Sequence, residues 1–177
     1  MSIPAAVWEH VRQRARFACE YCGVSETDSG GQLTLDHFQP KACGGGDEVD
    51  NLLYCCHGCN LYKADYWPRG PNDPALWNPR HESPEVHMLS LADGTLYPIT
   101  ARGAFSIARL RLNRAPLVAW RRRRQLQREA ARLLDRYREV MDLLEQLYHG
   151  QAALLEEHRA LLEEQRAALR LLLRTDE

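Results

Sequence analysis

Two C-x-x-C pairs, Cys19-Glu-Tyr-Cys22 and Cys56-His-Gly-Cys59, constrain this chain more than any other feature of its sequence. Four thiolates at that spacing can enclose a tetrahedral zinc with sulfur at about 2.3 Å, a closed structural site with no position left for substrate. The reading depends on compartment, because clustered thiols in reducing cytosol are metal ligands more often than disulfide partners. The opening MSIPAAVWEHVRQRAR lacks the apolar core of a secretory signal, and no run approaches the roughly 18 apolar residues of a membrane span. A cytoplasmic protein with no membrane segment is therefore expected. A redox C-x-x-C is the weaker alternative, since the surroundings lack a thioredoxin-like strand-to-helix context. Cys55 is an alternative to Cys56, but only Cys56 keeps the two-residue gap to Cys59, and Cys43 and Cys55 read as free thiols.

Around the cysteines the chain divides into three parts. Residues 2 to about 18 carry Val7, Val11, Ala15 and Ala18 at helical spacing, with Ser2 as a cap and Pro4 in the first turn. A loop rich in Gly, Ser and Asp leads to a strand-like run, Leu33 to Phe38, then three glycines, a second apolar run from Leu52 to Cys56, and a short helix over Asn60 to Asp65. Five prolines between Pro68 and Pro84 predict an irregular connection, and Asp93-Gly94 between apolar runs predicts a hairpin turn. From Thr100, a candidate cap, the chain is helical in composition, with a joint at Asn113 to Pro116.

That last part is electrically two-sided. From Arg102 to Arg138 there are twelve arginines against two acids, whereas from Glu139 onward nine acids face four arginines. Guanidinium forks suit phosphate, so Arg109, Arg111, Arg114 and the run Arg121, Arg122, Arg123 and Arg124 are candidate nucleic-acid contacts; a solvated helix face is the plainer reading. Leu126, Leu133, Leu134, Tyr137, Met141, Leu144 and Leu147 keep three-to-four spacing up to Gly150, where an interruption is expected, and leucines from Leu154 to Leu172 continue the stripe beyond it. Such a stripe fits a homodimer or a partner protein, or packing on its own domain.

The segment between the cysteine pairs carries the chemistry. Leu33-Thr-Leu-Asp36-His37 ends an apolar strand on an acid and an imidazole; a glycine loop, Asp50-Asn51-Leu-Leu and Cys59-Asn60-Leu-Tyr-Lys63 follow. A neutral imidazole takes a proton near pH 7, so His37 is a candidate general base. Asp36 points away from it if the strand is regular and shares its site if the strand ends there.

In this order of motifs, over roughly Ala18 to Asp65, the chain resembles the HNH endonucleases, whose fold is a two-strand, one-helix metal finger. The resemblance implies that His37 activates water and that Asp36 and Asn60 hold a catalytic Mg²⁺ or Mn²⁺. It also implies that Asn51 fixes the loop opposite and orients the histidine, and that Lys63 contacts phosphate. Hydrolysis of DNA leaving 5′-phosphate ends would follow, with RNA as the other substrate class. Asn60 stands where many members have histidine; its hard oxygen leans the site away from Zn²⁺ or Ni²⁺, and phage junction-resolving enzymes are similar in this respect.

The expected architecture is α+β: a small zinc-bound ββα-metal finger with an N-terminal helix and a long helical C-terminal arm. Residues 1–99 form the nuclease domain and residues 100–177 the arm. The expected activity is metal-dependent endonucleolytic cleavage with little intrinsic sequence specificity. The alternatives are a non-catalytic zinc-knuckle binding module and a phage-defence nuclease subunit switched on by a partner.

Overall fold

The computed structural model describes residues 3–174; the expected cap Ser2 and the side chain of Leu172 lie outside what it describes. Helix α1 spans Ala5–Arg14 with Pro4 at its N-cap, so it ends four residues earlier than the periodicity implies. The cause is local: Arg16 and Phe17 adopt positive φ of 52° and 58°, which turns the chain out of the helix and into the first cysteine pair. A single helical turn, α2 (Glu26–Ser29), interrupts the loop that follows, capped by Ser25, whose hydroxyl accepts from the Asp28 amide at 3.1 Å.

The two expected strands form an antiparallel pair. Strand β1 (Thr34–His37) lies against β2 (Leu52–Cys55), with Asp36 opposite Leu53 and His37 opposite Leu52. All four β2 residues are buried, which explains why its sequence is continuously apolar instead of alternating. Arg14 fastens α1 to this strand by donating to the carbonyls of Val49 at 2.8 Å and Leu52 at 2.6 Å. Trp8 stacks edge-on against Tyr54 at 5.7 Å, and the Tyr54 hydroxyl accepts from the Leu33 amide at 2.9 Å. The finger helix α3 covers His57–Lys63, beginning three residues before the expected start. Cys56 is its N-cap and Cys59 lies in its first turn, so two sulfurs sit at the positive end of the helix.

An irregular stretch then leads to the hairpin β3 (Met88–Ser90) and β4 (Leu96–Pro98), with Gly94 at its turn. Helix α4 (Ala101–Arg109) is capped as expected by Thr100, whose hydroxyl accepts from the Gly103 amide at 3.0 Å. Helix α5 runs from Ala115 to Arg174 without a break at Gly150; an isolated helix glycine costs about 1 kcal/mol, too little to stop a helix of this length.

Contacts divide the chain into residues 1–125 and residues 126–177, not at residue 99. The reason is that α4 and the first turns of α5 complete the first unit's core: the Ser106 hydroxyl accepts from the Trp77 amide at 2.8 Å, and Leu110, Leu112 and Leu117 are buried. Arg121, expected at phosphate, is internal as well. It donates to the carbonyls of Gly94 at 2.6 Å and Leu112 at 2.7 Å and to the Asn113 side chain at 3.1 Å. Its lowered pKa follows from burial.

Candidate active site and zinc cluster

The sulfur cluster is built from two turns. Gly23, at a φ of 78°, lets its amide fold back onto the Cys19 carbonyl at 2.8 Å, presenting Cys19 and Cys22 together. The start of α3 presents Cys56 and Cys59. All four sulfurs lie within 4.8 Å of one another, and Cys22 and Cys56 are 3.7 Å apart. A tetrahedron with 2.3 Å bonds requires sulfur separations of about 3.8 Å, so the four cysteines can hold a structural zinc. Cys55 points elsewhere and is buried, its thiol pushed up by burial, and Cys43 is exposed; neither belongs to the cluster.

Arg114 was not expected at this cluster. Its guanidinium stands 3.7 Å from Cys56 Sγ and 3.8–3.9 Å from Cys59 Sγ, and stacks on Tyr62 at 5.5 Å. A four-thiolate zinc site carries two net negative charges, and this cation offsets part of them. Although burial works against its charge, the thiolates hold the Arg114 pKa above its ordinary value. Only its tertiary position identifies this role; the sequence shows one arginine among many.

Beside the cluster, β1 distributes the candidate catalytic residues over two faces. The strand is regular through His37, so neighbouring side chains project oppositely. Thr34 and Asp36 share the face covered by α3. There the Asn60 amide donates to the Thr34 hydroxyl at 3.3 Å, and one turn later Lys63 Nζ stands 2.9 Å from Asp36 Oδ2. Asp36 and Asn60 are thus brought to one face. His37 projects from the other, its Nε2 2.7 Å from Asp47 Oδ1. Pairing with Leu52 keeps His37 within the strand.

Lys63 departs from expectation more sharply. It has no exposed surface and donates to the His37 carbonyl at 2.6 Å while facing Asp36, so it is an internal cation and not a phosphate contact. Its approach to Asp36 Oδ2 is an ion pair by distance without hydrogen-bond alignment, and that oxygen has no other donor. Burial raises the Asp36 pKa, with Lys63 opposing.

Asn51 bridges the two ends of the glycine loop. Its Oδ1 accepts from the Gln39 amide at 2.8 Å, and its Nδ2 donates to the carbonyls of Gln39 at 3.1 Å and Gly46 at 2.9 Å. The loop between closes so tightly that a Cβ on Gly45 would lie 1.8 Å from the Gln39 oxygen. This closure delivers Asp47 to His37. Asp47 also bonds Lys41 at 2.8 Å, and Lys41 first, then His37, lowers its carboxyl pKa. Asp47 lies four residues before Asn51 in the glycine loop, with no signal in one sequence to single it out from Glu48 or Asp50.

Of the arginines, Arg122, Arg123 and Arg124 are exposed, Arg124 over Trp120 at 5.7 Å. Arg109 is spent internally, donating to the Lys63 carbonyl at 2.9 Å and stacking on Tyr66, and Arg111 stacks on Tyr62. His57 is exposed, while His87 is buried between Thr100 and Glu82, a satisfied structural residue.

Residues 19–65 match the family model described as HNH endonuclease, a span that begins at the first cluster cysteine and ends just after α3. No curated protein and no solved structure matches the chain. The match places a nuclease or nucleic-acid-binding domain on the zinc-cluster finger. No helix among the described residues is long and apolar enough to cross a membrane.

Proposed function

We propose that this chain is a metal-dependent endonuclease that hydrolyses DNA phosphodiester bonds with little intrinsic sequence specificity. The observation that carries the reading is the fixed imidazole: His37 is clamped through Nε2 by Asp47, itself delivered by the loop that Asn51 closes. With Nε2–H donating to the carboxylate, Nδ1 keeps its lone pair and is the atom that accepts a proton from an attacking water. Asp47 holds the ring orientation and stabilises the imidazolium that proton transfer creates, as a carboxylate behind a catalytic histidine does.

Asp36 and Asn60 fit a hard divalent cation. They offer carboxylate and amide oxygens on one face, and Asp36 Oδ2 has no aligned hydrogen-bond donor. A Mg²⁺ or Mn²⁺ held there would supply positive charge for the phosphoryl oxygens and the departing 3′ oxygen. Such a cation and the Lys63 ammonium compete for one carboxylate. Asp36 and His37 are the last two residues of β1, and this reading requires one phosphodiester group lying across the end of that strand.

Arg122, Arg123 and Arg124 add backbone affinity that is sequence-blind and weakens with salt. RNA is the other substrate class, and a second protein chain, of the same or another kind, is the partner of α5. The protein works in the cytoplasm, where its thiols stay reduced.

A second reading rests on one observation: Lys63 already neutralises Asp36, as it would in a finger that binds nucleic acid without cutting it. Plasmid incubation separates the two. Zinc-loaded protein with added Mg²⁺ or Mn²⁺ is expected to nick or linearise supercoiled DNA, and the same protein without added ion is not. Binding of DNA with no cleavage under either ion supports the non-catalytic finger.

A further inference from the structure

We propose that residues 126–169 of α5 form a coiled coil with a second copy of this chain. The inference rests on that segment alone and is independent of the nuclease reading. Leu126, Leu133, Val140, Leu147, Leu154 and Leu161 recur at intervals of seven, and positions 134, 141, 148, 155, 162 and 169 form a second column that is also apolar throughout. Every one of these side chains is between 41% and 71% exposed, so nothing in the chain covers them among the described residues. A strict seven-residue period sustained over six repeats is the signature of supercoiling against another helix, not of packing on a globular surface, where the period is 3.6. A helix this long and this apolar on one side draws its stability from such packing.

The polar residues within the stripe identify the occupant. At 100° per residue, Gln151, His158 and Gln165 lie between the two apolar columns, one in each successive repeat. Facing an apolar partner, each would be buried without a hydrogen bond. A carboxamide and a neutral imidazole each carry both a donor and an acceptor, so the same set of residues on a second copy satisfies them. One polar group per repeat in a coiled-coil seam also fixes register and oligomer state. Ala153–Arg159 (ALLEEHR) is followed by Ala160–Arg166 (ALLEEQR), so these two repeats flank the stripe with Glu157 and Glu164 on one side and Arg159 and Arg166 on the other, both signs on one helix and complementary to a copy of itself. The area suffices: twelve apolar side chains at roughly 100 Å² each exceed the ~800 Å² per partner of a standard stable interface.

The test is the mass of the full-length zinc-loaded chain by light scattering at micromolar concentration. Twice the 20.3 kDa chain mass is expected. Leu154→Glu combined with Leu161→Glu is expected to halve that mass while the zinc content per chain is unchanged, which shows that residues 1–125 remain folded. Asp142→Ala, about 200° around the helix from Val140 and so on the face opposite the stripe, is expected to leave the mass at two chains. A wild type that weighs one chain overturns the proposal, as does a Leu154→Glu, Leu161→Glu variant that still weighs two. Loss of half the mass in Asp142→Ala overturns the assignment of the face.

Discussion

The buried ammonium of Lys63 stands 2.9 Å from the carboxylate of Asp36, so the strand acid and the finger helix are held together by a charge pair with no solvent on the lysine. Breaking such a pair by removing one member strands the other charge. Lys63→Met is expected to destabilise the fold by about 3–5 kcal/mol in denaturant titrations without divalent ion. If Asp36 is a cation ligand, millimolar Mg²⁺ restores part of that loss in the variant and adds less to the wild type. Equal, negligible effects of Mg²⁺ on both proteins count against Asp36 as a ligand.

Asn51 makes three hydrogen bonds across the glycine loop. Asn51→Ala is expected to cost about 1–3 kcal/mol, the penalty of unsatisfied backbone groups, and to reduce cleavage by releasing Asp47 from His37. Zinc content should stay unchanged. A variant as active as wild type at a temperature where both are folded contradicts the loop's role in positioning the base.

A zinc held by the four cysteines would brace a region whose own regular structure is small, so its affinity would count as folding free energy. Elemental analysis is expected to give one zinc per chain. Cys19→Ser should lose it together with the tertiary signals of residues 1–125. Arg114→Met, which removes the cation beside Cys56 and Cys59, should weaken zinc retention against a competing chelator while keeping the same stoichiometry. Unaltered retention would show that the guanidinium does not stabilise the cluster charge.

The fork between Arg12 and Glu26, 2.6 and 2.8 Å, ties α1 to α2, and the Tyr54 hydroxyl donates to the same carboxylate. The Arg12 hydrogen bonds come first, then Tyr54, in lowering the Glu26 pKa from 4.5 to about 2. A depressed carboxyl pKa stabilises the fold above the unfolded value and loses that contribution as pH falls through the folded one. The wild type's advantage in Tm over Glu26→Gln should therefore be full at pH 7 and shrink between about pH 4.5 and pH 2. A difference that stays constant across that window excludes the linkage.

The elements legible in the sequence were those set by local chemistry: the thiol spacing, the β1 and β2 apolar runs, the Thr100 cap and the Asp93-Gly94 turn. Chain reversals at Arg16 and Phe17 were not legible, because neither residue type favours positive φ and tertiary packing imposes it. Charge was the least legible property. Lys63, Arg114 and Arg121 look like surface cations in sequence, yet each is consumed by a partner far along the chain: Asp36, the Cys56 and Cys59 sulfurs, and the Gly94 carbonyl. Asp47 was missed for the same reason, since only the closed loop shows which of three nearby acids reaches His37. The heptad columns were present in the sequence but blurred by reading leucines at three-to-four spacing, which does not distinguish a period of 3.5 from one of 3.6.

His37 as the proton acceptor is most directly tested by the rate at which zinc-loaded His37→Ala nicks supercoiled plasmid in Mg²⁺, relative to wild type. A fall of about a hundredfold or more, with zinc content and Tm unchanged, is the predicted result. Cleavage at the wild-type rate would contradict it.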